Sequence, residues 1–489
     1  MNQIKALAGQ TVIYGFGTVV PRLLNYLLSL FLYTRIFDQG EYGVITELYA
    51  YMTVLLAVLT YGMETGFFRF SGNEKETKKV YSTSLISLCT TTILFVIGVI
   101  IFINPISELI KYSSNKEYII WFTLIVAFDV IAAIPFAYIR KQNKARKFAS
   151  LKIVNIIVTI VLIFFFFIIC PALANSGNEF IKTIWKEDIG LGYVLIANVI
   201  SSGVILLLLL PVILKANFVF SKSLFKKMIY YSSPLIIVGI AAAFNEAGDK
   251  IMLKYLLPED VKPLEEVGVY GANYKIAVIM TLFVQMFRYA FEPFFFARAK
   301  EKDAKSIYAD VMKYFVIVGL LIFLAVTMYM DLFKLMVDRD YWGGLHIVPI
   351  VLVANLLLGM YYNLSVWYKL TNKTKFAAIM SVMGLIITII LNFILIPKIS
   401  YLGSAWATLI CFASMVFVSY LLGKKYYPVK YDISGILMYF AIAIVFYFVF
   451  NEININNTLL QLLVRTIPLV LFLGIIEYRD KLSKIILNK

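Results

Sequence analysis

The chain has 489 residues, 61% of them apolar and only 15% charged, with a formal net charge of +16. A soluble globule is closer to half apolar, so a water-soluble enzyme or binding module is excluded. What remains is an all-α integral membrane protein, because each backbone polar group in lipid must be satisfied within its own segment.

Fourteen apolar runs follow one another, at residues 11–33, 44–66, 81–103, 118–139, 151–170, 190–213, 228–253, 267–291, 308–330, 345–367, 374–396, 401–422, 434–450 and 458–476. Each is close to the length that crosses a hydrocarbon core of about 30 Å. The first run is expected to be retained as a span, since no small-residue cleavage site follows it. The longest outer loop, 171–189, is too short for a folded domain.

Lysine and arginine divide unevenly between the two sides. Thirty of the 45 fall on the side that carries both termini and 11 on the other, with Arg22, Lys275, Arg288 and Arg465 assigned to neither side. The positive-inside rule places both termini in the cytoplasm. The net charge is thereby explained without nucleic acid. The cluster from Arg140 to Lys147 reads as a topology anchor beside anionic lipid.

The segment from Tyr42 to Phe70 repeats, without gaps, as Tyr270 to Arg298. Tyr42, Gly43, Met52, Thr53, Tyr61, Glu64, Phe67 and Phe68 recur as Tyr270, Gly271, Met280, Thr281, Tyr289, Glu292, Phe295 and Phe296. The repeat aligns run 2 with run 8. It predicts two six-helix lobes, 1–220 and 221–425, followed by an appended helix pair and tail, 426–489. An even offset of helices makes the repeats parallel, and many transporters place the solute path between such halves.

Soluble-enzyme motifs are missing: no P-loop, dinucleotide fingerprint, Gly-x-Ser-x-Gly elbow or His/Cys cluster occurs. Neither enzyme activity nor a cofactor or metal is expected. Cys89, Cys170 and Cys411 are scattered, and His346 reads as an interfacial polar residue. Chemistry must then come from polar residues inside the spans, where each charge is costly and should face a cavity or a partner.

Arg22, Asn25 and Ser29 share one face of run 1, just after Pro21, and Arg22 is too deep to snorkel easily. Lys275 and Arg288 add cations in run 8. These cations, with Asn25, form the candidate substrate-binding set, because Arg offers paired donors to phosphate oxygens. Tyr26, Tyr33, Tyr361, Tyr362, Asn355 and Asn363 offer partners for sugar hydroxyls. Asp129, mid-run 4, and Glu246, Asp249 and Glu292 are candidates for ion coupling. Lys250 lies four residues after Glu246 and is placed to pair with it, as Arg288 is with Glu292. Glu64, Arg69 and Arg298 close the repeated helices beside aromatic runs and read as an interfacial belt or a cytoplasmic gate. Glu47 matches Lys275 across the repeat, so the lobes present opposite charges there.

The turn Glu41-Tyr42-Gly43 between runs 1 and 2, followed by a basic inner loop, resembles the Wzx-type flippases. The segment Asp249-Lys250-Ile251-Met252-Leu253, followed by Val267-Gly268-Val269-Tyr270-Gly271-Ala272, is similar to that family's helix 7 to helix 8 region. The resemblance covers roughly runs 1–12. It implies two six-helix lobes in the superfamily that includes the MATE exporters and the lipid II flippases. The substrate implied is a lipid-linked oligosaccharide on undecaprenyl pyrophosphate, flipped across the bacterial inner membrane for O-antigen, capsule or exopolysaccharide. Membrane lipids, and a polysaccharide polymerase and export proteins, would be its partners. A MATE-like drug exporter or a lipid II flippase is the neighbouring alternative. A membrane-embedded polymerase or ligase is the alternative from another class, although the outer loops are short for one.

Overall fold

The computed structural model describes residues 2–481 apart from 299, 300, 302, 372 and 454, and no strand occurs among them. Among the described residues, twelve helices are long and apolar enough to cross a membrane, and a bent pair makes a thirteenth span. In chain order they are α1 (Gly15–Ile36), α2 (Gln39–Phe70), α3 (Glu74–Ile101), α4 (Lys116–Lys141), α5 (Ala145–Asn175), α6 (Gly192–Ile213) and α7 (Lys222–Leu256). The bent pair, Pro263–Ile276 with Val278–Tyr289, is α8, and α9 (Ala304–Met328) and α10 (Arg339–Leu370) follow. The 52-residue helix Lys375–Tyr426 is broken at Ile399 and Ser400, where the backbone leaves helical geometry. Its halves, 375–398 and 401–426, are α11 and α12. The last two are α13 (Ile433–Asn451) and α14 (Leu459–Asp480). Dividing the long helix at its break gives the fourteen spans that the apolar runs predict.

Local chemistry sets where spans begin and bend. The Asp38 carboxylate accepts from Glu41 N–H at 2.8 Å, and Glu41 accepts from Asp38 N–H at 3.3 Å. Asn73 and Glu76 repeat this box at the start of α3, at 3.0 and 3.2 Å. Each box satisfies helix-end donors that would otherwise be orphaned, which allows the very short α2–α3 turn. α2 is interrupted at Tyr61 and Gly62, both left-handed at φ 32° and 69°. α1 and α5 each contain one π-helical stretch, Ser29–Tyr33 and Phe165–Ile169.

The chain forms two compact units. The first comprises residues 1–255 and 262–267, the second 256–261 and 268–489. The division falls after Tyr255, so α7 lies with the first unit, one helix later than the 220/221 boundary read from the repeat.

In the first unit α4 is the central helix, packed against α2, α3 and α6, while α1 packs along α5. Gly17 permits that last contact: a Cβ there would lie 2.6 Å from the Ala149 Cβ. In the second unit α10 holds the same place, packed against α8, α9 and the α11–α12 pair. The neighbours of α10 are those of α4 shifted by six helices. The repeat is also visible in burial, since Tyr42 and Tyr270 are both fully buried, as is Phe67, with Phe295 nearly so. Phe67 meets Tyr81 edge-on at 6.4 Å, and Phe295 meets Tyr308 edge-on at 4.9 Å.

The appended pair is stapled to α9 at both ends. Lys313 holds Asp480 at 2.7 Å, and Tyr439 of α13 donates to the same carboxylate. At the other end Arg465 of α14 pairs with Asp331 just beyond α9, and Tyr329 bonds Thr466 at 2.7 Å. Burial acts to raise the Asp331 carboxyl, but Lys334 and Arg465 outweigh it and hold it below its usual range. A depressed carboxyl contributes stability that is present above its unfolded pKa, about 3.9, and is lost as pH falls through the lower folded value.

The far-end staple therefore holds from neutral pH down to about pH 4 and loosens below it, visible as faster hydrogen exchange in α14. Gly17→Val overpacks the α1–α5 contact and should cost about 2 kcal/mol of stability, read as a lower melting temperature in detergent.

Candidate functional site

Charged residues of the first unit range from exposed to fully buried. Arg22, on α1, is exposed although it lies well inside an apolar span, and Asn25 is half-buried beside it. Ser29, on the same face further along, is buried and bonds the Tyr42 hydroxyl at 2.9 Å. The face that carries Arg22 thus turns from exposed to packed where the π-helical stretch begins. Arg22 and Glu246 of α7 both act electrostatically on Tyr26. Glu246 is exposed as well, so α1 and α7 present an arginine, a glutamate and a tyrosine in one neighbourhood.

A second pair of charges adjoins it. Asp129 of α4 accepts from the Ser202 hydroxyl of α6 at 2.9 Å. Lys152 of α5 sits in the field of Asp129, Arg22 and Glu64, with its ammonium 4.3 Å from the centre of the Phe136 ring. Lys152 is the second residue of run 5, and the helix Ala145–Phe164 carries it into the span. Its proximity to Asp129 has no sequence signal, because the two are on different helices. Asp129 therefore has a hydroxyl donor and a cation in its surroundings.

The other candidates of this unit are tied down. Asp249 is buried and bonds Lys250 at 3.0 Å, and Lys250 also donates to the Glu246 carbonyl at 3.3 Å. The lysine thus engages its neighbour's carboxylate and a backbone oxygen of Glu246. Glu64 pairs with Arg140 at the end of α4, and the Arg140 guanidinium lies 5.1 Å from the Phe68 ring centre. Arg69 lies 5.9 Å from the Tyr231 ring centre.

The most deeply buried pair was missed by sequence reasoning. Glu47 of α2 and Lys254 of α7 are 0% and 3% exposed, and their charges meet at 2.8 Å. Tyr112, between α3 and α4, donates to the same carboxylate oxygen at 2.6 Å, and Lys254 also donates to the Ile110 carbonyl at 2.7 Å. Lys254 lies just beyond run 7, where a cation reads as a loop residue.

In the second unit Arg288 is exposed, 4.8 Å from the centre of the Tyr362 ring. Lys275 is half-buried at the last turn before the 49° break in α8. The side chain of Glu292 lies outside the described residues, so its pairing with Arg288 is not described. Arg298 pairs with Glu301 at 3.2 Å on the surface. Tyr361, Asn355 and Asn363 are buried, and Asn355 Nδ2 and Asn363 Oδ1 lack hydrogen-bond partners. Tyr33, in the first unit, is buried too, its hydroxyl without a partner. Among these hydroxyl-binding candidates, Tyr26 and Tyr362 are partly exposed and lie near an arginine.

Two substitutions separate the exposed from the packed polar groups. Glu64 and Arg140 are 43% and 44% exposed, so Glu64→Gln should cost no more than about 1 kcal/mol in denaturant unfolding. Ser202→Ala removes a donor from the half-buried Asp129 and should cost about 1–2 kcal/mol by the same measurement.

Solved structures share this fold. A lipid II flippase MurJ in an inward closed conformation aligns at 16% identity, covering 96% of this chain and 100% of that chain, with a TM-score of 0.71. An inward-facing multidrug resistance MATE family transporter of the MOP superfamily aligns at 12% identity over 85% and 97%, with a TM-score of 0.66. The MATE multidrug transporter DinF-BH aligns at 19% identity over 87% and 96%, with a TM-score of 0.62. No curated protein matches the chain. The family described as polysaccharide biosynthesis protein matches residues 7–297, more than half of the chain, and the chain belongs to that family: a multi-pass membrane protein that shares its fold with these transporter structures.

Proposed function

We propose that this protein flips an undecaprenyl-pyrophosphate-linked oligosaccharide from the cytoplasmic to the outer leaflet of the bacterial inner membrane, supplying O-antigen, capsule or exopolysaccharide assembly. The observation that carries the proposal is Arg22, an arginine exposed inside an apolar span of a polysaccharide biosynthesis family member. An arginine exposed in a span is costly in lipid, and water, a protein partner or a bound anion can meet that cost. Arg288 and Lys275 supply the same chemistry in the second repeat, and Tyr26 and Tyr362 supply ring faces and hydroxyls for sugars.

The face that carries both termini is the cytoplasmic one, on the strength of its excess of Lys and Arg. The head group enters there, its pyrophosphate meets an arginine, and it leaves outward by alternating access, while the prenyl chain stays in lipid. Asp129, Asp249, Glu246 and Glu292 are the carboxylates available to couple an ion to this cycle, with Asp129 favoured by the nearby Lys152. Glu64, Arg69 and Arg298 stand at the cytoplasmic ends of the repeated helices as gate residues. The assembly machinery that receives the product, a polymerase and export proteins, is the expected partner set.

The test is flipping of a fluorescent undecaprenyl-pyrophosphate sugar in proteoliposomes. Wild type should transport it, and Arg22→Ala and Arg288→Ala should each lose about tenfold or more with unchanged melting temperature. Efflux of organic cations with no flipping would move the assignment to drug export, and flipping of lipid II alone would move it to that substrate. Asp129→Asn should retain binding of the lipid and lose dependence on an imposed proton or sodium gradient. Wild-type flipping that persists after gradients are collapsed would refute ion coupling.

A further inference from the structure

Helix α7 meets the rest of the first unit at its two ends, and the two contacts differ in chemistry. Near its start, Ser232 donates to the Gly62 carbonyl at 3.2 Å, and a Cβ on Gly66 would lie 3.1 Å from the Ser232 hydroxyl and 3.3 Å from Met228. That is a seam of small residues. Near its finish, the contact is the buried group of Glu47, Tyr112 and Lys254, with Lys254 4.1 Å from the Tyr112 ring centre. Tyr51 and Tyr255 bond beside it at 2.7 Å. Between the two ends lie Glu246, Tyr26 and Arg22, the two charged ones exposed.

We propose that Glu47, Tyr112 and Lys254 form an ionic latch that closes the transport path at the face carrying the loop between α3 and α4. The inference rests on the transport reading above and on the repeat, which assigns α7 to the second lobe although its contacts lie in the first unit.

The argument is one of chemistry suited to reversible opening. A buried ion pair is poor cement: well-packed apolar side chains of similar volume hold a structure as well or better. Its advantage appears on opening. Parted charges recover hydration, whereas parted apolar side chains expose surface to water. A fully buried pair at the end of a helix whose middle carries exposed polar residues is therefore matched to a contact that must form and break. Tyr112 adds selectivity for the closed state, since its hydroxyl and ring both engage the pair only when Lys254 is docked. Lys254 also satisfies the Ile110 carbonyl, so docking α7 orders the segment that follows α3.

The test uses the full-length protein in lipid nanodiscs, with hydrogen exchange read at both ends of α7. Glu47→Gln should raise exchange in segments 102–118 and 248–262 by about tenfold or more while segments 60–70 and 226–236 stay at wild-type rates. The charge swap Glu47→Lys with Lys254→Glu should restore protection. The apolar pair Glu47→Leu with Lys254→Met should exchange at or below the wild-type rate and yet flip lipid-linked sugar about tenfold more slowly, a closed but unopenable latch. Unchanged exchange in Glu47→Gln, an equal rise at both ends, or full transport by the apolar pair would each overturn the latch. If the wild type flips no lipid-linked saccharide while local opening is still seen, the latch stands and the proposed substrate falls.

Discussion

Every feature of this protein answers to the cost of polar groups in hydrocarbon. The backbone meets it by helix formation, and the charged side chains meet it in one of two ways. Some are buried against an opposite charge: Lys254 with Glu47, and Asp249 with Lys250. Others, Arg22, Glu246 and Arg288, are exposed within their spans. A charge facing lipid with neither hydration nor a partner would cost several kcal/mol.

The scaffold that holds these charges is built twice. α4 and α10 are central in their own units and have equivalent neighbours, six helices apart. The repeated tyrosine and phenylalanine of α2 and α8 are buried in both. Apart from Glu64 and Glu292, the charges are not duplicated. Glu47 is buried against Lys254, while its counterpart Lys275 sits half-buried at the break of α8. Apolar packing thus preserves the architecture of the halves, and polar substitutions at matching positions give each half a different task. The last two helices extend the second unit and are held to α9 by charged groups at both ends of the span.

Much of the fold is legible in the sequence because the signals that define it are local. Span length follows from the hydrocarbon thickness, and fourteen apolar runs match the helices once the break at Ile399 and Ser400 is recognised. Helix starts are written in boxes such as Asp38 with Glu41. The identification of Arg22 and Arg288 as unusual cations also needs only their depth in a run. Other assignments required adjacency. Lys152 reads as a cation at the start of run 5 until the packing places it near Asp129, and Lys254 reads as a loop cation until Glu47 and Tyr112 are found around it. Ser29 shares a helical face with Arg22 yet is taken up by Tyr42.

What the amino-acid sequence determined by itself was the solvent, the number of crossings, the repeat and the presence of charges that lipid would not tolerate. These follow from composition and periodicity, which act along the chain. The tertiary structure alone decided which charges are buried in pairs and which are exposed, because a side chain's surroundings are set by which helices pack side by side. Glu47 and Lys254 are 207 positions apart, and no pattern along the chain joins them. Only the packing of α7 against α2 brings them within hydrogen-bond distance, where the low local dielectric makes their attraction count.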